Sequence, residues 1–171
     1  MLKFLSDKTK DGAANDIEFL IVTCTRHHHA LMQSPIEEML FEAIVTKQFL
    51  RNVRLPMIGE ASGSCANDGP WKITPQASVN KFRVDFVIED QDYPGLKVAV
   101  ECDGHDFHER TKQQAQKDRS RDRELQALGY LVLRYTGSEI WRDPYKCAED
   151  IQSKIWATVS QQFDSNEPSA T

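Results

Sequence analysis

The chain has 171 residues, room for one compact domain and little more. Its 40% hydrophobic and 27% charged residues, with eight Gly and seven Pro, exclude fibrous, collagen-like and disordered classes. A formal charge of -5 excludes attraction to nucleic acid by bulk charge, so a polyanionic partner has to meet a local basic face.

Residues 1–16 mix Lys and Asp without a continuous apolar run and carry Asp11-Gly12, so a loose lead-in without a secretory leader is expected, with a cytoplasmic address. The short apolar segment Ile17 to Cys24 opens the expected domain, residues 17–162. Ser34-Pro35-Ile36-Glu37 reads as a helix start with Ser as N-cap, Pro at N1 and Glu at N3. Ile36, Leu40, Phe41, Ile44 and Val45 then recur at helical spacing, which predicts a helix to about Leu50. Gly59 to Gly69 is rich in turn residues and reads as an exposed loop before Trp71.

Phe82, Val84, Phe86 and Ile88 alternate with Arg83, Asp85 and Val87, and after the turn-rich Asp90 to Gly95 a second alternating run holds Leu96, Val98, Val100 and Cys102. The pattern predicts a β-hairpin. A polar helix from about Phe107 to Leu128 is expected to stop at Gly129, followed by a strand over Tyr130 to Tyr135. Strand, helix and strand predict a right-handed βαβ crossover. Asp143-Pro144 opens a last helix that buries Ile151, Ile155, Trp156 and Val159, and residues 163–171 are expected as a disordered tail. Trp71, Trp141 and Trp156 read as core.

No apolar run reaches the roughly 18 residues of a membrane span, so no membrane partner is expected. The four cysteines, Cys24, Cys65, Cys102 and Cys147, form no CxxC pair and read as reduced thiols. Three adjacent histidines, His27 to His29, cannot all face one ion, which disfavours a structural zinc with Cys24. No triad order, Gly-rich phosphate loop or dinucleotide fingerprint occurs.

Strand alternation puts Asp85 on the face opposite Phe82, Val84, Phe86 and Ile88, and Glu101 and Asp103 opposite Leu96, Val98, Val100 and Cys102. A hairpin turn centred near Tyr93 sets Asp85 across from Glu101. Two carboxylates about 5 Å apart repel by roughly 3 kcal/mol at an effective dielectric near 20. A divalent cation, Mg²⁺ or Mn²⁺, offsets that repulsion, and such a site can hydrolyse phosphodiesters. The bland alternative is an exposed acidic strand face balanced by Arg83 and Lys97. Between Glu109 and Glu124 six basic residues meet four acidic ones, the one basic concentration in the chain. Lys112, Lys117, Arg119, Arg121 and Arg123 on this helix are candidates for holding phosphates, against a solvated helix laced with i,i+4 pairs.

At Val84-Asp85-Phe86, Val100-Glu101-Cys102-Asp103-Gly104-His105, Asp118 and Arg121, and Gly129 to Arg134, with Pro75-Gln76 ahead of them, the chain resembles the PD-(D/E)XK restriction-endonuclease-like superfamily. The branch it resembles is the one related to very short patch repair endonucleases. The resemblance spans Ser34 to about Ile151. It implies a single α/β domain with a mixed sheet flanked by helices, and a metal-dependent DNA endonuclease in which Asp85 and Glu101 ligate Mg²⁺ or Mn²⁺. Two positions depart from the pattern: Val84 replaces the usual Pro, and Asp103 stands where a Lys is usual. Asp103 then assists through metal or water, and His105 or His108 handles protons, with Lys112 or Lys117 as a less favoured replacement. Glu37 matches the acid that helix one often contributes, although a capping box accounts for it without chemistry. The alternatives are a nuclease acting on RNA or structured DNA, and a catalytically silent module binding nucleic acid or protein. A protein partner for targeting is a further expectation.

Overall fold

A computed structural model describes residues 30–52, 57–58, 71–104 and 112–166. The elements are α1 (Pro35–Asn52), β1 (Met57–Ile58), β2 (Trp71–Val79), β3 (Phe82–Asp90), β4 (Lys97–Asp103), α2 (Lys112–Ala127), β5 (Tyr130–Thr136), α3 (Gly137–Arg142) and α4 (Pro144–Asn166). The strands form one five-stranded sheet in the order β1-β2-β3-β4-β5. The outer pairs β1·β2 and β4·β5 are parallel and the inner pairs antiparallel, so the sheet is mixed.

The punctuation in the sequence is where the elements begin and end. Ser34 Oγ bonds Glu37, Gly129 takes a left-handed φ of 84° beyond α2, and Asp143 Oδ1 accepts the Lys146 N–H at 3.0 Å at the start of α4. The β3·β4 register pairs Phe86 with Val100 and Ile88 with Val98, the hairpin expected. Between β4 and β5 the chain makes a crossover to a parallel strand. The long helix α4 carries on to Asn166, into the stretch expected as a tail.

One face of the sheet buries Trp71, Ile73, Phe86, Ile88, Val98 and Val100 against α1 and α4, with Phe41 stacked on Phe86 at 6.0 Å. The other face holds a smaller cluster of Val79, Val84, Val87 and Ala99 under Leu125 of α2. A three-layer α/β domain results, with α1 and α4 on one side and α2 on the other. Among the described residues no helix is long and apolar enough to cross a membrane. The described cysteines, Cys102 and Cys147, are free thiols.

Several expectations are corrected. The segment Trp71–Val79, ahead of the expected hairpin, is a nine-residue strand. Pro75 argues against a central strand, but β1 pairs only with Lys72 and Ile73, so its missing N–H breaks no described β1·β2 pair. Strict alternation along β3 also fails. Phe82 and Val84 pack in the smaller cluster whereas Phe86 and Ile88 pack in the larger one, so the strand changes face at Asp85. Its neighbour β2 changes face at the same level, between Ile73 and Val79. Trp141, expected in the core, is 64% exposed on the short helix α3.

Candidate active site

Asp85 sits where β3 and β4 part. Their ladder runs in register from Glu89·Lys97 to Phe86·Val100, and one residue further the Asp85 carboxylate replaces the backbone: its Oδ2 accepts the Cys102 N–H at 2.7 Å. A buried strand N–H has to find an acceptor, and here a side chain supplies it. The carboxylate is thereby fixed beside Glu101, which is 5% exposed on the α2 face of β4. Asp103, two residues on, is also buried. The reading of these acids as an exposed strand face is overturned.

Glu37 reaches the same region from the start of α1. It is 5% exposed, and it accepts from Ser34 Oγ at 2.8 Å, from the Gln33 N–H at 2.9 Å and from Gln76 Nε2 at 2.7 Å. The helix-start role is real, and it extends across to β2 through Gln76. Burial is the main force on the neighbouring acids. Desolvation pushes the Asp85 carboxyl up from its ordinary value against the Cys102 N–H, with the Glu37 and Asp103 charges adding to the rise and Arg121 opposing it. Glu101 is pushed up to about 7, mainly by burial and further by Asp85, with Arg121 and Arg134 opposing. Burial also drives the Cys102 thiol far above its ordinary value, and all four carboxylates add to that rise. Cys102 is an inert thiol.

Two arginines hold the acids. Arg121 of α2 donates through Nη2 to Glu101 Oε1 at 2.5 Å and to the Arg83 carbonyl, and its guanidinium lies over the Phe82 ring at 5.7 Å. Arg134 of β5 bonds Asp103 Oδ1 at 3.1 Å through Nη1 and Asp122 of α2 at 2.8 Å through Nη2. Two α2 charges, Arg121 and Asp122, therefore point inward to the strands and make cross-element pairs. Lys117, Arg119 and Arg123 remain exposed on the outer side, while Arg121, expected among the phosphate contacts, is engaged at Glu101.

Gln76 carries no local signal in the sequence beyond the resemblance at Pro75-Gln76. Its backbone is left-handed, with φ of 48°, in the middle of β2, where such a conformation costs a residue with a Cβ about 1–2 kcal/mol. Pro75 pairs with Phe86 and Ala77 with Val84, so Gln76 lies level with Asp85 at the break in regular pairing. Its Oε1 accepts from Arg83 Nε at 2.7 Å. Arg134, also missed, had a signal: a lone charge inside the apolar run Tyr130 to Tyr135 has to be paired when the strand is buried.

Asp85 thus feels the charges of Glu37 and Asp103, Glu101 those of Asp85 and Asp103, and the Cys102 thiol all four. His105 and His108 lie outside the described residues, as do Cys24 and His27 to His29. Among the described residues no three His, Cys, Asp or Glu side chains stand close enough together to hold a metal ion as they are. The donor set is nonetheless all oxygen at Asp85 and Glu101, the kind a hard divalent cation takes with water completing its shell.

A mixed sheet flanked by helices, with strand-borne acids at its inner break, defines a restriction-endonuclease-like α/β protein. The chain belongs to the family REase_MTES_1575, a restriction-endonuclease-like family whose model matches residues 66–155, a little over half of the sequence. Membership supports the wider PD-(D/E)XK-like superfamily and points to nuclease-type function. Families of this kind typically use divalent metals. No curated protein and no solved structure matches the chain.

Proposed function

We propose that this protein is a metal-dependent endonuclease that hydrolyses DNA phosphodiester bonds, with Asp85 and Glu101 holding Mg²⁺ or Mn²⁺. One observation carries the reading: Asp85 Oδ2 caps the Cys102 N–H, which pins the first acid beside the second at the point where the strands part. Two desolvated carboxylates on neighbouring strands carry a charge repulsion that a divalent cation would offset. Within the superfamily, the acidic residue, Gly and His of Asp103-Gly104-His105 favour the branch related to very short patch repair endonucleases.

A bound Mg²⁺ or Mn²⁺ would supply Lewis acidity and positive charge. The chain's own residues supply the rest. Asp85 and Glu101 would hold the cation, and Arg134 holds Asp103 and thereby the end of β4. His105 and His108 follow β4 in sequence and are the groups whose ordinary pKa suits proton transfer near neutrality. Exposed Lys117, Arg119 and Arg123, with Lys112, offer phosphate contacts along α2.

The test is incubation of supercoiled plasmid, linear DNA and RNA with Mg²⁺, Mn²⁺ or EDTA. Supercoiled DNA is expected to be lost only with metal, and Asp85→Asn, which keeps an acceptor for the Cys102 N–H, is expected to be at least about 100-fold slower. Cleavage of RNA alone moves the substrate and keeps the site. Survival of every substrate overturns the proposal. A second reading has its own observation: the Arg121 guanidinium already neutralises Glu101, as in a catalytically silent module that binds nucleic acid or a protein partner. Metal-independent DNA binding without cleavage selects it.

A further inference from the structure

Arg83 stands two residues before Asp85 on β3, and its carbonyl accepts from the same Arg121 that grips Glu101. Its side chain is exposed yet tethered. Nε donates to Gln76 Oε1 at 2.7 Å, and Gln76 Nε2 donates to the buried Glu37 carboxylate at 2.7 Å. The relay fixes the plane of the guanidinium through its inner edge. Among the described residues no hydrogen bond or ion pair engages Nη1 or Nη2. Beside it opens a cleft of about 440 Å³ lined by Thr74, Gln76, Ser78 and Arg83, together with Lys72 and its ion-pair partner Glu89.

An arginine held by Nε presents two parallel N–H donors, the fork that matches two oxygens of a phosphate, and its ordering entropy is spent before the ligand arrives. The left-handed Gln76 aims an amide at Glu37 and at Arg83 together, and backbone strain of this kind persists where the surrounding structure over-determines it. We propose that Arg83 is a phosphate anchor for a polynucleotide strand entering the carboxylate site, with Gln76 as the positioning residue that aims it. The ligand is a backbone phosphodiester of the strand that lies at the carboxylate site. This inference rests on the nucleic-acid reading above and does not depend on cleavage.

The experiment measures binding of a fluorescent duplex and a single-stranded oligonucleotide to the full chain in EDTA across a salt series. Arg83→Ala is expected to lose about tenfold in affinity and to lower the salt slope by about one. Arg83→Lys and Gln76→Gly keep the charge and so keep the slope, yet both are expected to bind several-fold more weakly. Gly suits the left-handed backbone, and its melting point reports that Gln76→Gly is folded. Lys154→Ala, on α4 away from the site, removes one charge as a control and is expected to bind as wild type.

Equal losses in Arg83→Ala and Lys154→Ala, wild-type binding by Gln76→Gly, or no oligonucleotide binding by the wild-type chain each overturn the anchor. Competition by inorganic phosphate as strong as by the oligonucleotide assigns Arg83 to free phosphate and overturns the strand assignment. Cleavage assays with metal then separate the two readings. Normal cleavage by Arg83→Ala with unchanged binding leaves the nuclease and removes the anchor, whereas Arg83-dependent binding without cleavage does the reverse.

Discussion

If the carboxylate cluster is held together at a cost that a cation relieves, neutralising Glu101 should stabilise the metal-free protein, and more so at high pH. Glu101 is 5% exposed and its folded-state pKa is pushed from 4.5 up to about 7. A raised pKa means that the folded state binds the proton more tightly than the unfolded chain. The contribution to stability is therefore complete below the unfolded value of 4.5 and is lost as pH rises through about 7. A displacement of two to three units corresponds to a total loss of about 3 kcal/mol at about 1.36 kcal/mol per unit. Glu101→Gln removes the titration and keeps an oxygen for Arg121 Nη2. Urea unfolding in EDTA at about pH 5 and about pH 8 measures the effect. The stability of Glu101→Gln relative to wild type is expected to grow by about 2 kcal/mol between the two conditions. At the higher pH, Mn²⁺ should stabilise wild type and leave Glu101→Gln unmoved. A difference that is flat or shrinks with pH refutes the reasoning, because Arg121 alone would then satisfy the charge.

Arg134→Met should cost about 3 kcal/mol in urea unfolding by leaving Asp103 and Asp122 without their cation, and a double-mutant cycle with Asp122→Asn should be non-additive. Asp90 is buried, accepts from Trp71 Nε1 at 2.9 Å, and has its pKa raised chiefly by that burial, so its stabilising contribution fades as pH rises through its folded value. Asp90→Asn should gain on wild type with rising pH above the ordinary 3.8, read from Trp71 fluorescence during unfolding. Trp141→Ser should change stability by no more than about 0.5 kcal/mol, whereas Trp71→Ala should cost about 3–5 kcal/mol by thermal or urea melting.

Local rules were enough to read the element ends and the hairpin from the residues alone. Ser34, Gly129 and Asp143 mark helix ends because their signals act within about one helical turn. Alternation and the turn near Tyr93 brought out the β3·β4 register, and with it acids on neighbouring strands. Which groups meet, and in what state, depends on contacts between elements far apart along the chain. The Gln76 to Glu37 bond spans 39 residues, Arg121 to the Arg83 carbonyl 38, and Cys102 to Asp85 17, separations that no propensity or cap registers. Period-two reasoning assumes one face per strand, and it fails where β2 and β3 change face at Gln76 and Asp85. Burial, which sets the Glu101 pKa and turns Arg121 and Arg134 inward, arises from the whole packed sheet, because desolvation depends on every layer laid over a charge and not on its neighbours along the chain.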